Sequence, residues 1–280
     1  MKTKIFFFDL DGTLLNSNKQ ITPDTYAALC EWHDAGNLIA INSGRPLISI
    51  LKVIDELKLS AFMPYAVAFN GALIYSVKDK KTIIKKGISL NDVADIYSAA
   101  RSLSLHCHSY NDNAILTPAV NDEIRYYTRV VKLPVDVLER FPEGINDPPC
   151  KMLCIDLTES DKLDKMTDLI NSGEFSTGRA AGPARLYAMR SNSRYLEIIP
   201  SDAGKGTAVR ELAAYLGIDE GGTLAAGDEE NDLSMIEAAG CGVAMCNGNK
   251  DIFASADIIT VKNNDHDGLA PIIRQHIHKI

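Results

Sequence analysis

The chain has 280 residues, of which 46% are hydrophobic and 24% are charged, and its formal net charge is -8 at pH 7. This composition is typical of a globular protein with one large domain or two of ordinary size, and it excludes an intrinsically disordered chain. The negative charge argues against general nucleic-acid binding, which depends on Lys and Arg neutralising phosphates.

The sequence also argues against a membrane partner. No window approaches the roughly 18 apolar residues of a membrane span, and the apolar run that follows Lys4 ends at Asp9, too early for a signal peptide. We therefore expect a cytoplasmic protein, and the oligomeric state stays open. The six cysteines form no CxxC pair, and we interpret them as reduced packing residues: Cys30, Cys107, Cys150, Cys154, Cys241 and Cys246.

The first predicted strand, 5–8, ends in two carboxylates, Asp9 and Asp11, followed by Gly12. Residues i and i+2 of an extended chain point the same way, so the two carboxylates start from one face. Like charges there repel unless a cation or a proton separates them. The pattern therefore indicates a metal site, and the alternative is a buried strand followed by an ordinary Asp-Gly turn.

Two further apolar runs also end in polar, glycine-containing loops. The run 38–41 leads into Asn42-Ser43-Gly44-Arg45, and the run 223–226 leads into Gly227-Asp228-Glu229-Glu230-Asn231-Asp232. In an open parallel α/β sheet, ligands bind outside the carboxyl ends of the strands, at a switch point in strand order. We therefore expect the three loops to converge on one pocket.

The two ends of the chain alternate between predicted strands and helices. Thr22 and Pro23 are typical of a helix start, and Gly36 of its end. Such alternation predicts a parallel sheet covered on both faces. The other elements predicted there are helices at 46–58, 205–216 and 231–239 and strands at 66–69, 242–245 and 258–260.

The middle of the chain has a different pattern. Ser89 with Asp92 resembles a capped helix start, whereas the predicted strands at 105–110, 151–157 and 194–199 are more polar or alternate. We therefore assign 86–197 to an inserted α+β domain and the segments 1–85 and 198–280 to a discontinuous α/β core. Within the insertion, His106-Cys107-His108 is interpreted as a plain strand with the cysteine opposite the two histidines.

These motifs resemble a known family. In order and spacing, Asp9-Leu10-Asp11-Gly12-Thr13, Ser43-Gly44-Arg45, Lys205 and Gly227-Asp228 with Asn231-Asp232 resemble the four motifs of the haloacid dehalogenase superfamily of phosphohydrolases. The insertion resembles the large α/β (C2) cap of the Cof-type sugar-phosphatase branch, and the resemblance is weakest there. It implies a Rossmann-like core and a Mg²⁺-dependent phosphomonoesterase that acts on small phosphorylated metabolites, sugar phosphates in particular, through an aspartyl-phosphate.

The resemblance also implies roles for the carboxylates. Asp9 would be both nucleophile and metal ligand, since a carboxylate can attack phosphorus. Asp11 would be the general acid and base, with its backbone carbonyl facing the metal. Asp228 would complete the magnesium set of Asp9, Asp11 and Asp228, and Asp232 would orient waters or Lys205 from outside that set.

A second group of residues is predicted to bind the phosphate and the rest of the substrate. Lys205 begins a helix, where a positive charge is misplaced unless an anion lies nearby. The Ser43 hydroxyl and the following backbone amides offer donors to phosphate, and Arg45 would either clamp phosphate or form a surface salt bridge. Asn42 departs from the small or threonine residue of many family members. The remaining candidates are Gly44, Asn70, Gly71 and Asn231, and, for specificity in the cap, Arg179, Arg185 and Arg190.

Two alternatives to a phosphatase remain at this point. A phosphomutase would use the same aspartyl-phosphate but return the phosphoryl group to the sugar. A signalling module resembling a response-regulator receiver also combines acids, a hydroxyl, a lysine and a phosphorylated Asp, but it is compact and needs no cap of this size.

Overall fold

The computed structural model describes residues 2–175 and 185–277. The chain forms two compact units, the first from Met1–Ile84 with Gly204–Ile280 and the second from Lys85–Ala203. The predicted insertion, 86–197, lies inside the second unit. Among the described residues, no helix has the length and apolar character needed to cross a bilayer.

The predicted mixed α/β fold is confirmed. In chain order, the strands are β1 (Ile5–Phe8), β2 (Leu38–Asn42), β3 (Tyr65–Ala68), β4 (Leu73–Ser76), β5 (Lys81–Lys85), β6 (His106–Tyr110), β7 (Ile115–Thr117), β8 (Val135–Val137), β9 (Met152–Ile155), β10 (Leu186–Asn192), β11 (Tyr195–Pro200), β12 (Thr223–Gly227), β13 (Cys241–Ala244) and β14 (Ile258–Ile259). The α-helices are α1 (Pro23–Asp34), α2 (Leu47–Glu56), α3 (Leu90–Ser102), α4 (Asp122–Val131), α5 (Lys162–Ser172), α6 (Lys205–Leu216), α7 (Leu233–Ala238) and α8 (Ala270–His276).

The first unit is built on an eight-stranded sheet in the order β14-β13-β12-β1-β2-β3-β4-β5. Neighbouring strands from β14 to β3 are parallel, and β4 runs antiparallel to β3. The strand order therefore reverses beside β1, with β2 on one side and β12 on the other. Loops that follow these three strands meet at the switch point, where α/β sheets bind ligands.

Strand β1 is buried on both faces, as a parallel sheet between helices requires. Phe7 packs with the residues of α6 and α7 on one face. Phe6 stacks on Phe8 with ring centroids 4.1 Å apart and meets Trp32 of α1 at 5.7 Å on the other. The four consecutive apolar residues of β1 therefore fix the strand at the centre of the core, and the chain emerges from it at Asp9.

The second unit has a six-stranded sheet in the order β10-β11-β9-β6-β7-β8. Its pairs are antiparallel except for β7 with β8. Helices α3 and α5 cover one face through an apolar cluster that includes Cys107. The Ser89 hydroxyl accepts from the Asp92 N–H at 3.1 Å, so the predicted cap of α3 is confirmed.

A chain of buried polar side chains lies on the opposite face of this sheet. The side-chain oxygen of Asn121, Oδ1, accepts from the Ile124 N–H and so caps α4. The side-chain nitrogen, Nδ2, therefore donates to His106 Nδ1 at 3.0 Å. His106 therefore carries its proton on Nε2, which donates to His108 Nδ1 at 3.3 Å, and His108 Nε2 donates to the Tyr110 hydroxyl at 3.1 Å. The predicted alternation, with Cys107 opposite the two histidines, is confirmed.

We expect acid to destabilise the second unit through this chain. Burial lowers the pKa of His106 to about 4, and burial, His106 and Lys151 together lower the pKa of His108. Between about pH 4 and 6.5 the unfolded state binds protons that the folded state excludes, so the free energy of unfolding rises with pH, by at most about 1.4 kcal/mol per pH unit for each histidine. The rings of Tyr110 and Tyr127 also border His108, with centroids 5.2 and 5.0 Å away.

Denaturant unfolding across this pH range checks the expectation. His106→Gln and His108→Gln should flatten the pH dependence, and His33→Gln, at an exposed imidazole beside Asp34, is the control. An unchanged slope in both buried-site variants would contradict the expectation.

The packing interpretation of the cysteines is correct for three of them. Cys107, Cys150 and Cys154 are buried, and the six cysteines, all among the described residues, form no disulfide. The interpretation is wrong for Cys246, which is exposed because it lies in the loop after β13.

Candidate active site

The loop after β1 carries Asp9 to the switch point of the first sheet. Asp9 is buried, and its backbone N–H donates to the Ala226 carbonyl of β12 at 3.0 Å. Gly12 follows at φ +82°, a left-handed conformation that favours glycine, and a Cβ there would lie 2.1 Å from Asp228 Oδ2. The loops after β1 and β12 therefore approach each other more closely than a side chain at position 12 would allow.

Lys205, the first residue of α6, joins two of the carboxylates. Its Nζ lies 2.7 Å from Asp9 Oδ1 and 2.5 Å from Asp232 Oδ1, and the side chain is 1% exposed. Burial alone would lower the pKa of Lys205, but Asp232 and Asp9 raise it above its ordinary value. The lysine is therefore charged, and its misplaced position at a helix start is explained by the two anions beside it.

Asp232 and Asp228 are held by different partners. Asp232 Oδ2 accepts from the backbone N–H groups of Asp228 at 2.9 Å and Glu229 at 3.0 Å. Since Lys205 binds its other oxygen, both Asp232 oxygens are engaged within the protein. Asp228 Oδ1 accepts from the Thr13 hydroxyl at 2.7 Å.

Two of these carboxyls have raised pKa values. Burial raises the pKa of Asp9 to about 7, against the opposing effect of Lys205. Burial also raises the pKa of Asp228 to about 7, and the charge of Asp9 adds to the effect. One oxygen each from Asp9, Asp228 and Asp232 lie within 4.8 Å of one another. An all-oxygen set of this kind fits a hard divalent cation such as Mg²⁺.

The Asp11 carboxylate lies outside that group of three. Arg45 Nε donates to Asp11 Oδ2 and Arg45 Nη2 to Oδ1, each at 2.7 Å, and Lys19 Nζ also donates to Oδ1 at 2.7 Å. Burial favours a higher pKa for Asp11, but the two cations outweigh it and lower the pKa below its ordinary value. Of the two interpretations of Arg45, the structure contains the salt bridge, and its partner is a candidate active-site residue.

The predicted phosphate and substrate residues lie together beside β2. The Ser43 carbonyl accepts from the Asn70 N–H at 3.1 Å, and Asn70 Oδ1 accepts from Asn231 Nδ2 at 3.2 Å. A Cβ on Gly44 would lie 2.8 Å from Asn70 Oδ1, so the loops after β2 and β3 are in close contact. Gly71 has φ +94°, and a Cβ there would lie 2.2 Å from the Gly204 carbonyl oxygen.

Asn42, where the sequence departs from many family members, is fully buried. Its Nδ2 donates to the backbone carbonyl of Lys205 at 3.0 Å. Asn42 therefore helps to hold the first turn of α6, which carries the lysine.

Besides Lys19, three residues of this site were not predicted. Thr13 bonds Asp228 as described, Asn247 Nδ2 donates to the Gly12 carbonyl at 2.9 Å, and the Asn249 N–H donates to the Asp228 carbonyl at 2.7 Å. The last two follow β13, another parallel strand that ends in a polar, glycine-containing loop. The same pattern that identified the other loops was present there.

Two of the three predicted cap arginines form ion pairs within the second unit. Arg185 Nη2 lies 3.1 Å from Asp92 Oδ1 of α3, and Arg190 Nη1 lies 2.6 Å from Asp164 Oδ1 of α5. Arg179 lies outside the described residues. A role for the two described arginines in substrate selection would have to compete with these ion pairs.

Comparison with known proteins gives a consistent result. The sequence profile of the haloacid dehalogenase-like hydrolases matches residues 6–273. YxeH of Bacillus subtilis is 32% identical over 277 residues, covering 97% of each chain. The 5-amino-6-(5-phospho-D-ribitylamino)uracil phosphatase YitU of the same organism is 27% identical over 292 residues, covering 99% of each chain. A haloacid dehalogenase-like hydrolase from Bacteroides thetaiotaomicron superposes with a TM-score of 0.84 at 28% identity, covering 98% of this chain and 99% of its own.

Proposed function

This chain belongs to the haloacid dehalogenase-like hydrolase family and is a phosphatase, and on that premise we propose that it hydrolyses small phosphorylated metabolites, sugar or polyol phosphates above all, through a phosphorylated Asp9 with Mg²⁺. The buried contact of Asp9 with Lys205 beside Asp228 carries the proposal. It sets a carboxylate nucleophile next to a fixed cation at the switch point of the sheet, where the phosphate dianion of a substrate would need both.

In the first step an Asp9 carboxylate oxygen attacks phosphorus, and the bond from phosphorus to the ester oxygen breaks. Arg45 and Lys19 lower the pKa of Asp11 in the free enzyme, so Asp11 takes up a proton from water when the phosphate dianion binds. The departing alkoxide then takes that proton, and the alcohol leaves neutral. Lys205 and the backbone N–H groups after Ser43 offset the charge of the phosphoryl oxygens during transfer.

In the second step water attacks the phosphoryl group on Asp9. Asp11, now ionised, takes the proton of that water, and the bond between phosphorus and the Asp9 oxygen breaks. Inorganic phosphate leaves, Asp9 is again a free side chain, and Asp11 returns to water the proton that it took up. The identity of the alcohol affects only the first step.

The family implies a metal ion, and the residues fit one. Asp9 and Asp228 would hold it, together with the backbone carbonyl of Asp11. When bound, the ion would supply positive charge to the phosphoryl oxygens and to the two buried carboxylates. Asp232 would stay outside the ligand set because Lys205 and two backbone amides use its oxygens.

Magnesium is expected to activate the enzyme and calcium to inhibit it. Calcium accepts more ligands at longer distances and can hold a carboxylate through both oxygens, which would occupy the attacking oxygen of Asp9. Phosphate release measured with each ion after chelation checks this. Full activity with calcium alone, or activity that survives exhaustive chelation, would contradict the proposed metal role.

A binding measurement without turnover is the control for this prediction. Magnesium at 100 times its dissociation constant should raise the free energy of unfolding by about 2.7 kcal/mol. Asp228→Asn should remove that increment, because the amide lacks the charge that holds the ion. An equal increment in the variant would mean that the ion binds elsewhere.

The substrate class is best tested with a panel of phosphate esters. The substrate named for YitU contains a phosphorylated ribityl group. This supports sugar and polyol phosphates as substrates of the present protein as well. We expect these to exceed nucleotides in kcat/KM, with inorganic phosphate as the product. Conversion of a sugar phosphate into its isomer without phosphate release would favour the phosphomutase alternative.

Selection of the alcohol by the second unit is a further expectation. Arg185→Ala and Arg190→Ala should change the ranking of the esters and affect a small aryl phosphate least, since remote contacts position the rest of the substrate. Arg179→Ala tests the third predicted residue in the same way. Equal losses with every ester would remove these arginines from the list of specificity residues.

A further inference from the structure

Two cationic side chains from different loops bind the Asp11 carboxylate. Arg45 binds both oxygens through Nε and Nη2, and Lys19 adds a third donor on Oδ1, all at 2.7 Å. A two-pronged contact of this kind fixes the plane of a carboxylate as well as its position. We call Arg45 and Lys19 together the Asp11 clamp.

Lys19 lies in a hydrogen-bonded turn at residues 16–20. Asn16 Oδ1 accepts from the N–H groups of Asn18 at 2.9 Å and Gln20 at 3.0 Å, and the Asn16 carbonyl accepts from the Lys19 N–H at 2.9 Å. Lys19 itself has φ 59°, a left-handed conformation that a lysine rarely adopts.

Arg45 is also directed towards Asp11 and not towards a neighbouring acid of another loop. Its backbone N–H donates weakly to the Ser43 hydroxyl at 3.4 Å, which keeps the residue in the loop after β2. Its guanidinium side chain is partly buried, whereas the Asp11 and Lys19 side chains are more exposed. The paired edge of the guanidinium, the one suited to phosphate, is already used by Asp11.

We propose that Arg45 and Lys19 are positioning residues that hold the Asp11 carboxylate towards the leaving alcohol and away from Asp9 and Asp228. The proposal rests on the role of Asp11 as general acid in the proposed function. No charge of the clamp then acts on the phosphoryl group, and its contribution passes entirely through Asp11.

A positioning role for Arg45 and Lys19 and a direct contact of these residues with phosphate predict different changes in kcat/KM from one ester to another. An alkyl phosphate has a poor leaving group that needs the Asp11 proton, whereas an aryl phosphate such as p-nitrophenyl phosphate has a good one that does not. The value of kcat/KM covers the steps up to departure of the alcohol. A weakened clamp should therefore lower kcat/KM for the alkyl ester alone, whereas a lost phosphate contact would lower it for both.

The experiment compares the two esters in Lys19→Gln, Arg45→Gln and Arg45→Lys. We expect Lys19→Gln and Arg45→Gln to lose about 10- to 100-fold in kcat/KM with the alkyl ester and less than about threefold with the aryl ester, as part of the 10²- to 10⁴-fold that a general acid supplies. Arg45→Lys should recover part of the loss. Lys2→Gln, at a surface ion pair with Asp219, is the matched control.

A double-mutant cycle with Asp11→Asn decides whether the clamp acts through Asp11. In that background Lys19→Gln and Arg45→Gln should cause no further loss, because the group that they position is gone. Losses that multiply, or single variants that affect both esters equally, would overturn the clamp. A rise in kcat/KM for the alkyl ester would also overturn it, since it would mean that the two cations hinder proton donation by favouring the ionised form of Asp11. If Asp11→Asn alone showed no dependence on the leaving group, the general-acid assignment itself would fail, and the clamp with it.

Discussion

Asp9→Asn is expected to lower kcat by several powers of ten while the fold stays intact. The substitution keeps the volume of the side chain but replaces the attacking carboxylate oxygen with an amide, which is a poor nucleophile. The amide oxygen can still accept from Lys205, so the contact that holds α6 survives in weaker form. Steady-state phosphate release measures the loss, and a variant with more than about a hundredth of the wild-type kcat would count against covalent catalysis.

Two further measurements support the interpretation of that result. Wild-type enzyme quenched during turnover should carry a phosphoryl group on a peptide that contains Asp9, and the variant should carry none. Asp34→Asn, at an exposed carboxylate on the last turn of α1, is the matched control and should keep full activity.

Lys205→Met is expected to have the largest effect on stability, a loss of about 3 to 5 kcal/mol in the free energy of unfolding, and to remove activity as well. The lysine is 1% exposed and is in contact with Asp9 and Asp232. Removing it leaves two buried carboxylates without a compensating charge. Denaturant unfolding at neutral pH measures the loss.

The pH dependence of this variant has a definite sign. Burial already raises the pKa of Asp9 to about 7, and without the lysine we expect that pKa to rise further, so that above pH 7 the folded variant binds a proton that the folded wild type has lost. The deficit in stability relative to the wild type should therefore shrink as the pH falls towards 7.

The double variant Lys205→Met with Asp232→Asn should regain part of the lost stability, since one of the uncompensated charges is removed. A deficit that stays constant with pH, and that the second substitution deepens, would mean that lost packing and not charge is responsible.

Much of the site could be predicted because its residues follow strands. Asp9, Ser43 and Asp228 come directly after apolar runs, and the parallel order of β1, β2 and β12 brings such positions to one edge. The partner of Arg45 could not be predicted in this way. A phosphate contact and a salt bridge require the same charge in the same loop, and the choice depends on where Asp11 turns after the strand.

Other features were missed because their signal is spread over distant segments. The buried polar chain of the second unit depends on the register of β6 against the first turn of α4, and neither the helix nor that register was predicted. Lys19 was missed for a different reason. A lysine in a polar turn is an ordinary surface residue by composition, and its contact with Asp11 exists only once the loop after β1 has folded.

The order of strands in the first sheet also affects how the chain can fold while it is being made. Strand β1 pairs with β2 on one side, but its other edge is filled by β12, so that Ile5 lies opposite Thr223. A ribosome that adds about 5 to 20 residues per second needs roughly 10 to 40 s to reach the missing strand. Throughout that time a strand with three consecutive phenylalanines has an open edge, which is a template for pairing with other chains. Slow elongation or high-level expression should therefore divert this protein into aggregates. The strands of the second sheet, in contrast, all lie within the contiguous segment Lys85–Ala203 and can pair as soon as that segment has been made.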